Sequence, residues 1–279
     1  MQWRGRRGSQ NVEDRRGMGG KGVALGGVGG IAGVIILLLV MFMGGDPSSV
    51  TPAPESPGSG LTQEQQDDAA KFVSVVLADT EEVWRTEFRK MNRTYDEARL
   101  VLFDGYVETA CGSASSDTGP FYCPGDQTVY IDLGFFTQLS QRFGAPGDFA
   151  QAYVIAHEIG HHVQQQLGIL DAVHTRQRRV SQREANELSV RLELQADFFA
   201  GIWAHYADKK LGVVERGDLQ EALNAATAIG DDKIQKEGQG YAVPDTFTHG
   251  TSAQRMRWFK LGYDTGDVQR GDTFQTSRL

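Results

Sequence analysis

The feature that most constrains this chain is a pair of histidines four positions apart, His157 and His161, in a helix-forming segment. Positions i and i+4 share one face of an α-helix, so both imidazoles can reach one metal ion. Glu158 flanks that position, where a carboxylate can take a proton from a metal-bound water. The pattern therefore predicts a helix that presents a metal site. Two surface histidines on an ordinary helix are the alternative.

The residues around these histidines predict how far the helix extends. Asp148 is a candidate N-cap before the apolar run, and Gly168 suits the C-terminal end. A helix of roughly 20 residues is about 30 Å long, enough for the spine of a domain. Gly160 costs a helix about 1 kcal/mol relative to Ala, which indicates close approach of another backbone or of the metal.

A second motif, Glu193 and Asp197, also has i, i+4 spacing and presents both carboxylates on one face. The pair resembles the E-x-x-x-D pattern of thermolysin-like sites. That resemblance implies that Glu193 is the third zinc ligand and that Asp197 accepts a hydrogen bond from His157. A solvated acidic face is the alternative. Apolar or small neighbours indicate burial instead: Leu192, Leu194, Ala196, Phe198, Phe199, Ala200 and Gly201.

Together these motifs resemble a known family, the bacterial neutral zinc metallopeptidases. The matching stretches are 109–112, 119–124, 129–133, 157–162, 193–197 and 248–252, and together with the predicted N-terminal anchor they cover nearly the whole chain. The resemblance implies an α+β fold, a mainly helical zincin-like domain with a small antiparallel sheet, preceded by one transmembrane helix. It also implies one Zn²⁺ ion and a peptide or protein substrate, without naming that substrate.

The charge of the chain is unevenly distributed. Residues 1–22 carry six basic and two acidic groups, a balance of +4, so the total of −8 leaves −12 for the remainder. An acidic main body argues against nucleic acid as a partner. With 40% hydrophobic residues, the chain has an ordinary globular composition and room for a sizeable core.

An uncharged apolar run at 23–44 follows the basic arm. About 20 such residues cross a bilayer. Basic residues before the run predict a single-pass protein of the bacterial cytoplasmic membrane, with its N-terminus in the cytoplasm and its catalytic domain extracytoplasmic. A cleaved signal peptide is the alternative. Gly29 and Gly33 have the G-x-x-x-G spacing that predicts a weak homodimer, although such glycines can simply loosen the start of an anchor.

Four segments follow from these patterns: a basic cytoplasmic arm at 1–22, an anchor at 23–44, a linker at 45–60 and a zinc metallopeptidase domain at 61–279. The linker is rich in proline, glycine and serine and has too little apolar surface to fold. It should separate the domain from the membrane.

The two cysteines, Cys111 and Cys123, flank a polar loop. In an oxidising extracytoplasmic space they should form one disulfide, which contributes about 3 kcal/mol for a loop of this size. Two buried thiols or a cysteine-based metal site are the alternatives.

A strand is predicted around Val129, Tyr130 and Ile131, one connection before the metal-binding helix. In zincin folds an edge strand above that helix pairs with the substrate backbone, and this segment is the candidate for it. A plain interior strand is the alternative.

Helices are predicted elsewhere from spacing and capping: one from a capping box at Thr62, one at 181–207, one at 214–229, and one at 252–261 that Gly262 ends. His249 lies just before the last of them. In gluzincin-like sites a histidine or similar donor outside the metal shell stabilises the developing oxyanion. His249 is the candidate for this role. A surface or capping histidine is the alternative.

These features predict a membrane-anchored zinc endopeptidase in which Glu158 activates a zinc-bound water. Two other classes stay open. One is a zinc-bound, non-catalytic interaction module at the cell surface. The other is a zinc hydrolase of a non-peptide amide or ester.

Overall fold

The computed structural model describes residues 1–17 and 61–279. The predicted anchor at 23–44, the linker at 45–60, and with them Gly29 and Gly33, lie outside the described residues, so the predicted anchor and dimer contact stay predictions. Within 1–17 and 61–279, no helix combines the length and apolar character that a bilayer span requires.

Most of the described chain is helical, and the α+β class is confirmed. The helices are α1 (Gln63–Lys90), α2 (Gly134–Gln141), α3 (Asp148–Gln166), α4 (Ile169–Gln177), α5 (Gln182–Lys209), α6 (Asp218–Ala228), α7 (Asp231–Gln239) and α8 (Ser252–Thr265). Single 3₁₀ turns lie at Ser116–Thr118, Pro244–Thr246 and Val268–Arg270.

The strands form one sheet and one separate hairpin. They are β1 (Val12–Asp14), β2 (Arg99–Phe103), β3 (Tyr106–Thr109), β4 (Gly112–Ser115), β5 (Phe121–Cys123) and β6 (Thr128–Asp132). The sheet has the order β1-β2-β6-β5, and β3 pairs with β4. Strands β1, β2 and β6 are parallel, whereas β5 is antiparallel to β6. The predicted antiparallel sheet is therefore wrong, because long crossovers connect the parallel neighbours.

Strand β6 lies inside the sheet, not at its edge. Val129 and Tyr130 are in register with β2 on one side and with β5 on the other. All five residues of β6 are buried, as expected for a parallel strand covered on both faces. The prediction that Val129, Tyr130 and Ile131 form the substrate strand is therefore wrong. The backbones of the first two already have partners on both sides, and Ile131 continues the same interior strand.

The helix boundaries follow most of the capping signals, but the N-cap of α3 is Gly147 and the predicted cap Asp148 is the first helical residue. Thr62 forms the predicted capping box with Gln65, and Ser181 caps α5. The predicted stop at Gly262 is wrong, because α8 continues to Thr265. A side chain at Gly262 would collide with the Phe198 carbonyl oxygen of α5. This glycine permits helix packing and does not end the helix.

Helix α3 is the spine of the domain. Its buried face packs against α5, α6 and α1, and β5 and β6 lie beside it. Tyr153, Ile155 and Ile159 on this helix are completely buried. The metal-binding motif is thus anchored in the centre of the hydrophobic core, where packing restricts its side chains.

The disulfide prediction is confirmed. Cys111 and Cys123 are bonded, with a Cα–Cα distance of 5.8 Å. The bond joins the end of the β3–β4 hairpin region to β5, and so ties the hairpin to the edge of the sheet.

The predicted basic arm is not separate from the domain in the structure. Residues 12–14 form β1, the outer parallel strand of the sheet, in register with Leu100, Val101 and Leu102. The segment at 1–17 is thus part of the same hydrogen-bonded sheet as the metal-binding domain.

Candidate metal centre

Two packed helices bring three potential ligands together. His157 and His161 project from α3, and Glu193 projects from α5. The carboxylate oxygens of Glu193 lie 3.2 Å from Nε2 of His157 and 3.5 Å from Nε2 of His161. The three donor atoms lie within 4.8 Å of one another.

The spacing of these donor atoms fits a zinc ion. Zn–N and Zn–O bonds of about 2.0–2.2 Å in a tetrahedral shell place neighbouring donors about 3.3–3.6 Å apart. The separations of 3.2 Å from Oε2 to His157 and 3.5 Å from Oε1 to His161 involve different oxygens of the carboxylate, and both are close to this donor spacing. Two imidazoles and one carboxylate are also a ligand set that suits catalytic zinc and leaves one position open.

Asp197 holds His157 in the tautomer that metal binding requires. Its Oδ1 lies 2.9 Å from Nδ1 of His157. The Nδ1–H donates to this carboxylate, so Nε2 is the ring nitrogen available to a metal ion. The Asp197 contact predicted for His157 is therefore present in the structure.

Asp197 is itself held by two side chains that sequence reasoning missed. Arg255 from α8 donates to both carboxylate oxygens, Nε to Oδ2 at 2.8 Å and Nη2 to Oδ1 at 3.0 Å. The Tyr153 hydroxyl donates to Oδ1 at 2.5 Å. Asp197 is fully buried and Arg255 is 2% exposed. A buried carboxylate needs such partners, and this bidentate pair also fixes its orientation.

His161 is oriented by a different partner. Its Nδ1–H donates to Oε1 of Gln164, at 2.9 Å. Gln164 is completely buried and donates in turn to the carbonyl oxygen of Leu192 at 2.7 Å. Both histidines therefore present Nε2 to the same space, one held by a carboxylate and one by an amide.

The charges around the ligands shift their pKa values. Burial alone would lower the pKa of His157, but Asp197 and Glu193 outweigh it and raise that pKa to about 10. Burial would raise the pKa of Glu193, but the imidazoles hold it well below its usual range. A cation is therefore favoured between these groups, either a proton on His157 or a metal ion.

Glu158 combines burial with the pKa of a general base. It is 8% exposed, and burial raises the pKa of its carboxyl from 4.5 to about 7, with a further contribution from Glu193. A dication bound by the neighbouring ligands would lower this pKa again. The carboxylate is thus able to accept and release a proton near neutral pH.

The close approach of α3 and α5 depends on Gly160. A Cβ at this position would lie 3.0 Å from both the Cα and the carbonyl oxygen of Ala196. The misfit of glycine in the helix is thus explained by the approach of another backbone. The crossing brings Glu193 within reach of both imidazoles.

His249 lies on the loop before α8, at the exposed side of the site. Its Nδ1 is 3.2 Å from Oδ1 of Asp231, and its side chain is 49% exposed. Oδ2 of Asp231 accepts hydrogen bonds from the backbone of Thr248, His249 and Gly250. Burial lowers the pKa of His249, but Asp231 and Glu193 raise it overall. Its charge in turn helps to lower the pKa of Glu193.

His162 has a structural role. It is completely buried, and its Nε2 lies 2.7 Å from the Asp96 carbonyl oxygen. The Tyr122 hydroxyl of β5 lies 3.0 Å from its Nδ1. This histidine therefore connects the metal-binding helix to the edge of the sheet.

Comparison with known proteins agrees with the geometry of this site. A family model described as "Putative neutral zinc metallopeptidase" matches residues 1–274. The chain belongs to this family. The donor set, which is suitable for zinc, and the description of the family point to the same chemistry.

Two relatives of this metallopeptidase are similar over most of their length. The chain is 50% identical over 287 residues to "Uncharacterized protein YpfJ" of Escherichia coli strain K12, covering 99% of this chain and 100% of that protein. It is 42% identical over 257 residues to "Uncharacterized protein Rv2575" of Mycobacterium tuberculosis strain H37Rv, covering 86% of each. No solved structure matches the chain.

Sequence signals for the residues that were missed differ in strength. Tyr153 is four positions before His157 and Gln164 is three after His161, so helical spacing could have identified both. Asp231 begins α7 and Arg255 lies in α8. No local pattern connects either residue to the histidines.

Proposed function

We propose that this protein is a zinc-dependent endopeptidase of the HExxH type, with Glu193 as the third ligand. The observation that carries the proposal is that donor atoms of His157, His161 and Glu193, from two helices, lie within 4.8 Å of one another. Hydrogen bonds at Nδ1 also orient both imidazoles, with Asp197 as the partner of His157 and Gln164 as the partner of His161. Such support for ligands is typical of a metal site and not of two surface histidines.

The chemistry of the residues around the ligands supports hydrolysis of an amide. When bound, zinc supplies a Lewis acid that polarises the scissile carbonyl and makes water more acidic. Glu158 accepts the proton of the attacking water and delivers it to the leaving amine. His249 donates a hydrogen bond to the oxygen that becomes negative during attack.

We propose β5 as the strand that pairs with the substrate backbone, in place of β6. Strand β5 ends the sheet order, so its outer edge has no strand partner among the described residues. Its Tyr122 contacts His162, the residue that follows His161. An extended peptide could add to this edge beside the metal-binding helix, and that mode of recognition favours peptides over other amides.

We propose that the apolar run at 23–44 attaches the protein to the bacterial cytoplasmic membrane, with residues 61–279 on its oxidising side. The uncharged length of that run supports the attachment. The disulfide between Cys111 and Cys123 supports an oxidising compartment for the domain.

The experiment compares Glu158→Gln with wild type in the purified full chain, by zinc analysis and digestion of a peptide library. We expect one zinc per chain in both proteins and chelator-sensitive cleavage by wild type. In Glu158→Gln, kcat/KM should fall by about 10³-fold because the proton acceptor is lost. Glu187→Gln, an exposed carboxylate on α5, is the matched control and should cleave like wild type.

Two results would contradict the proposal. Equal cleavage by Glu158→Gln and wild type would remove Glu158 as the base. Zinc bound by wild type without cleavage of any peptide in the library would contradict the peptidase and favour an interaction module.

A further inference from the structure

Residues 1–17 are joined to the metal-binding domain by backbone hydrogen bonds. The amide of Leu100 donates to the Asn11 carbonyl at 2.9 Å, and the amide of Arg15 donates to the Leu102 carbonyl at 2.8 Å. Ser9 donates to the Ser74 carbonyl of α1 at 2.9 Å. The N-terminal segment thus supplies a parallel strand of the sheet and lies along α1.

Apolar side chains of the segment are buried in the domain. Met1 is 7% exposed and belongs to the main hydrophobic core. The Trp3 ring packs edge-on against Phe72 of α1, with centroids 5.4 Å apart. Burial of Met1 and partial burial of Trp3 stabilise this contact.

The basic side chains of the segment pair with acidic side chains of the domain. Arg4 contacts Asp68 at 2.6 Å, and Arg16 contacts Asp67 at 3.2 Å. Arg6 pairs with Asp79 of α1. The net charge of +4 on residues 1–22 therefore complements the −12 of the remainder. These basic residues therefore pair with the domain, in addition to any effect that they have on membrane orientation.

Two buried carboxylates of α1 accept hydrogen bonds from this segment, although Glu81 also contacts Arg85 of its own helix at 3.5 Å. Asp79 is 3% exposed and Glu81 is 2% exposed. Arg6 donates to Asp79, while Ser9 and Asn11 donate to Glu81. Buried carboxylates are costly without such donors. This face of α1 is therefore complementary to residues 1–17.

The chain also leaves and re-enters the domain at neighbouring points. The guanidinium of Arg16 lies 3.2 Å from Asp67, in the second turn of α1. The amide of Gly17 donates to Asp104 at 3.0 Å. A single crossing of a bilayer separates the two ends of the crossing segment by about 30 Å of hydrocarbon. The described residues on either side of the predicted anchor lie on one surface of one domain. They are therefore not separated by the thickness of a bilayer.

We propose that residues 1–17 and residues 61–279 lie on the same side of the membrane, with the N-terminal segment docked as an integral part of the metal-binding domain. This placement and the expected topology, with a cytoplasmic N-terminus and an extracytoplasmic domain, exclude each other. The proposal is independent of the peptidase assignment, since it uses none of the metal ligands.

Thiol labelling of the full chain in its own membranes tests the proposal. Both native cysteines are in the disulfide, so Gln10→Cys and Glu64→Cys each introduce one thiol, at exposed positions of the arm and of α1. A membrane-impermeant maleimide is applied to intact and to permeabilised cells. We expect both variants to show the same pattern, either both labelled or both protected before permeabilisation. Labelling of one and protection of the other would overturn the proposal.

Hydrogen exchange tests the docking itself in the purified full chain. Amides of Leu100 and Arg15 should exchange at least about tenfold more slowly than in an unstructured segment, because they are hydrogen-bonded across β1 and β2. Arg6→Gln should speed their exchange about tenfold by removing the partner of a buried carboxylate. Arg7→Gln, an exposed neighbour of equal charge, is the control. Unprotected amides in wild type would overturn the proposal.

Discussion

The two sides of the metal centre each hold a histidine by a carboxylate, but they support that carboxylate differently. On the buried side, Asp197 holds His157 and is itself held by Arg255 and Tyr153. On the exposed side, Asp231 holds His249 and is itself held by backbone amides of the same loop.

The comparison shows how similar residue pairs acquire different roles. The buried pair is fixed by three helices, α3, α5 and α8, so His157 has the rigidity of a metal ligand. His249 is half exposed on a loop, where it can approach or leave a substrate. Loss of the buried pair should thus change metal binding, whereas loss of the exposed histidine should change turnover.

Among the variants that compare the two sides, His249→Ala should have the largest effect. We expect kcat to fall by about 100-fold, as for loss of one oxyanion donor, with zinc content unchanged. Steady-state kinetics and zinc analysis measure the two quantities. His174→Ala, whose charged neighbours are Asp171 and Arg178, is the control. Release of zinc by His249→Ala would show that the exposed side also supports the metal.

Asp197→Asn should have a smaller effect, on zinc affinity and not on turnover. We expect zinc affinity to fall about 10- to 100-fold, because a neutral amide is a weaker acceptor for His157 and supplies no counter-charge for Arg255. A competition titration with a chelator measures the dissociation constant, and Glu187→Gln on the same helix is the control. Unchanged affinity would mean that the buried carboxylate does not orient the ligand.

A third expected effect is a change of stability with pH in the metal-free protein. The raised pKa of His157, about 10, means that its proton stabilises the fold fully below the unfolded pKa of 6.5. This contribution is lost as pH rises through about 10.

We therefore expect the free energy of unfolding to fall between about pH 7 and pH 10, and to fall less in His157→Gln. Urea unfolding at several pH values measures this. Zinc replaces the proton, so the loaded protein should show a weaker dependence. Identical slopes for wild type and His157→Gln would contradict the assigned charge coupling.

Local patterns in the sequence predicted local structure well. The i, i+4 spacing of His157 and His161 needs only a helix, and the capping residues Thr62 and Ser181 act within one turn. The disulfide was predictable from two cysteines across a short polar loop. In each case the interacting groups are near one another in the chain.

Predictions that depended on distant partners were less successful. The position of β6 inside the sheet depends on β2 and β5, and the stop assigned to Gly262 overlooked the packing of α5 against α8. The arm was assigned from its charge alone, which does not reveal pairing with residues 60 to 90 positions away.

The sequence by itself determined the helix that presents two imidazoles and a carboxylate base, and the identity of a second helix with Glu193 and Asp197. Only the tertiary structure decided that these helices cross at Gly160, that Arg255 neutralises Asp197, and that residues 1–17 complete the sheet. The reason is physical: helical periodicity is encoded within a few residues, whereas burial and charge pairing depend on segments that meet only in the folded chain.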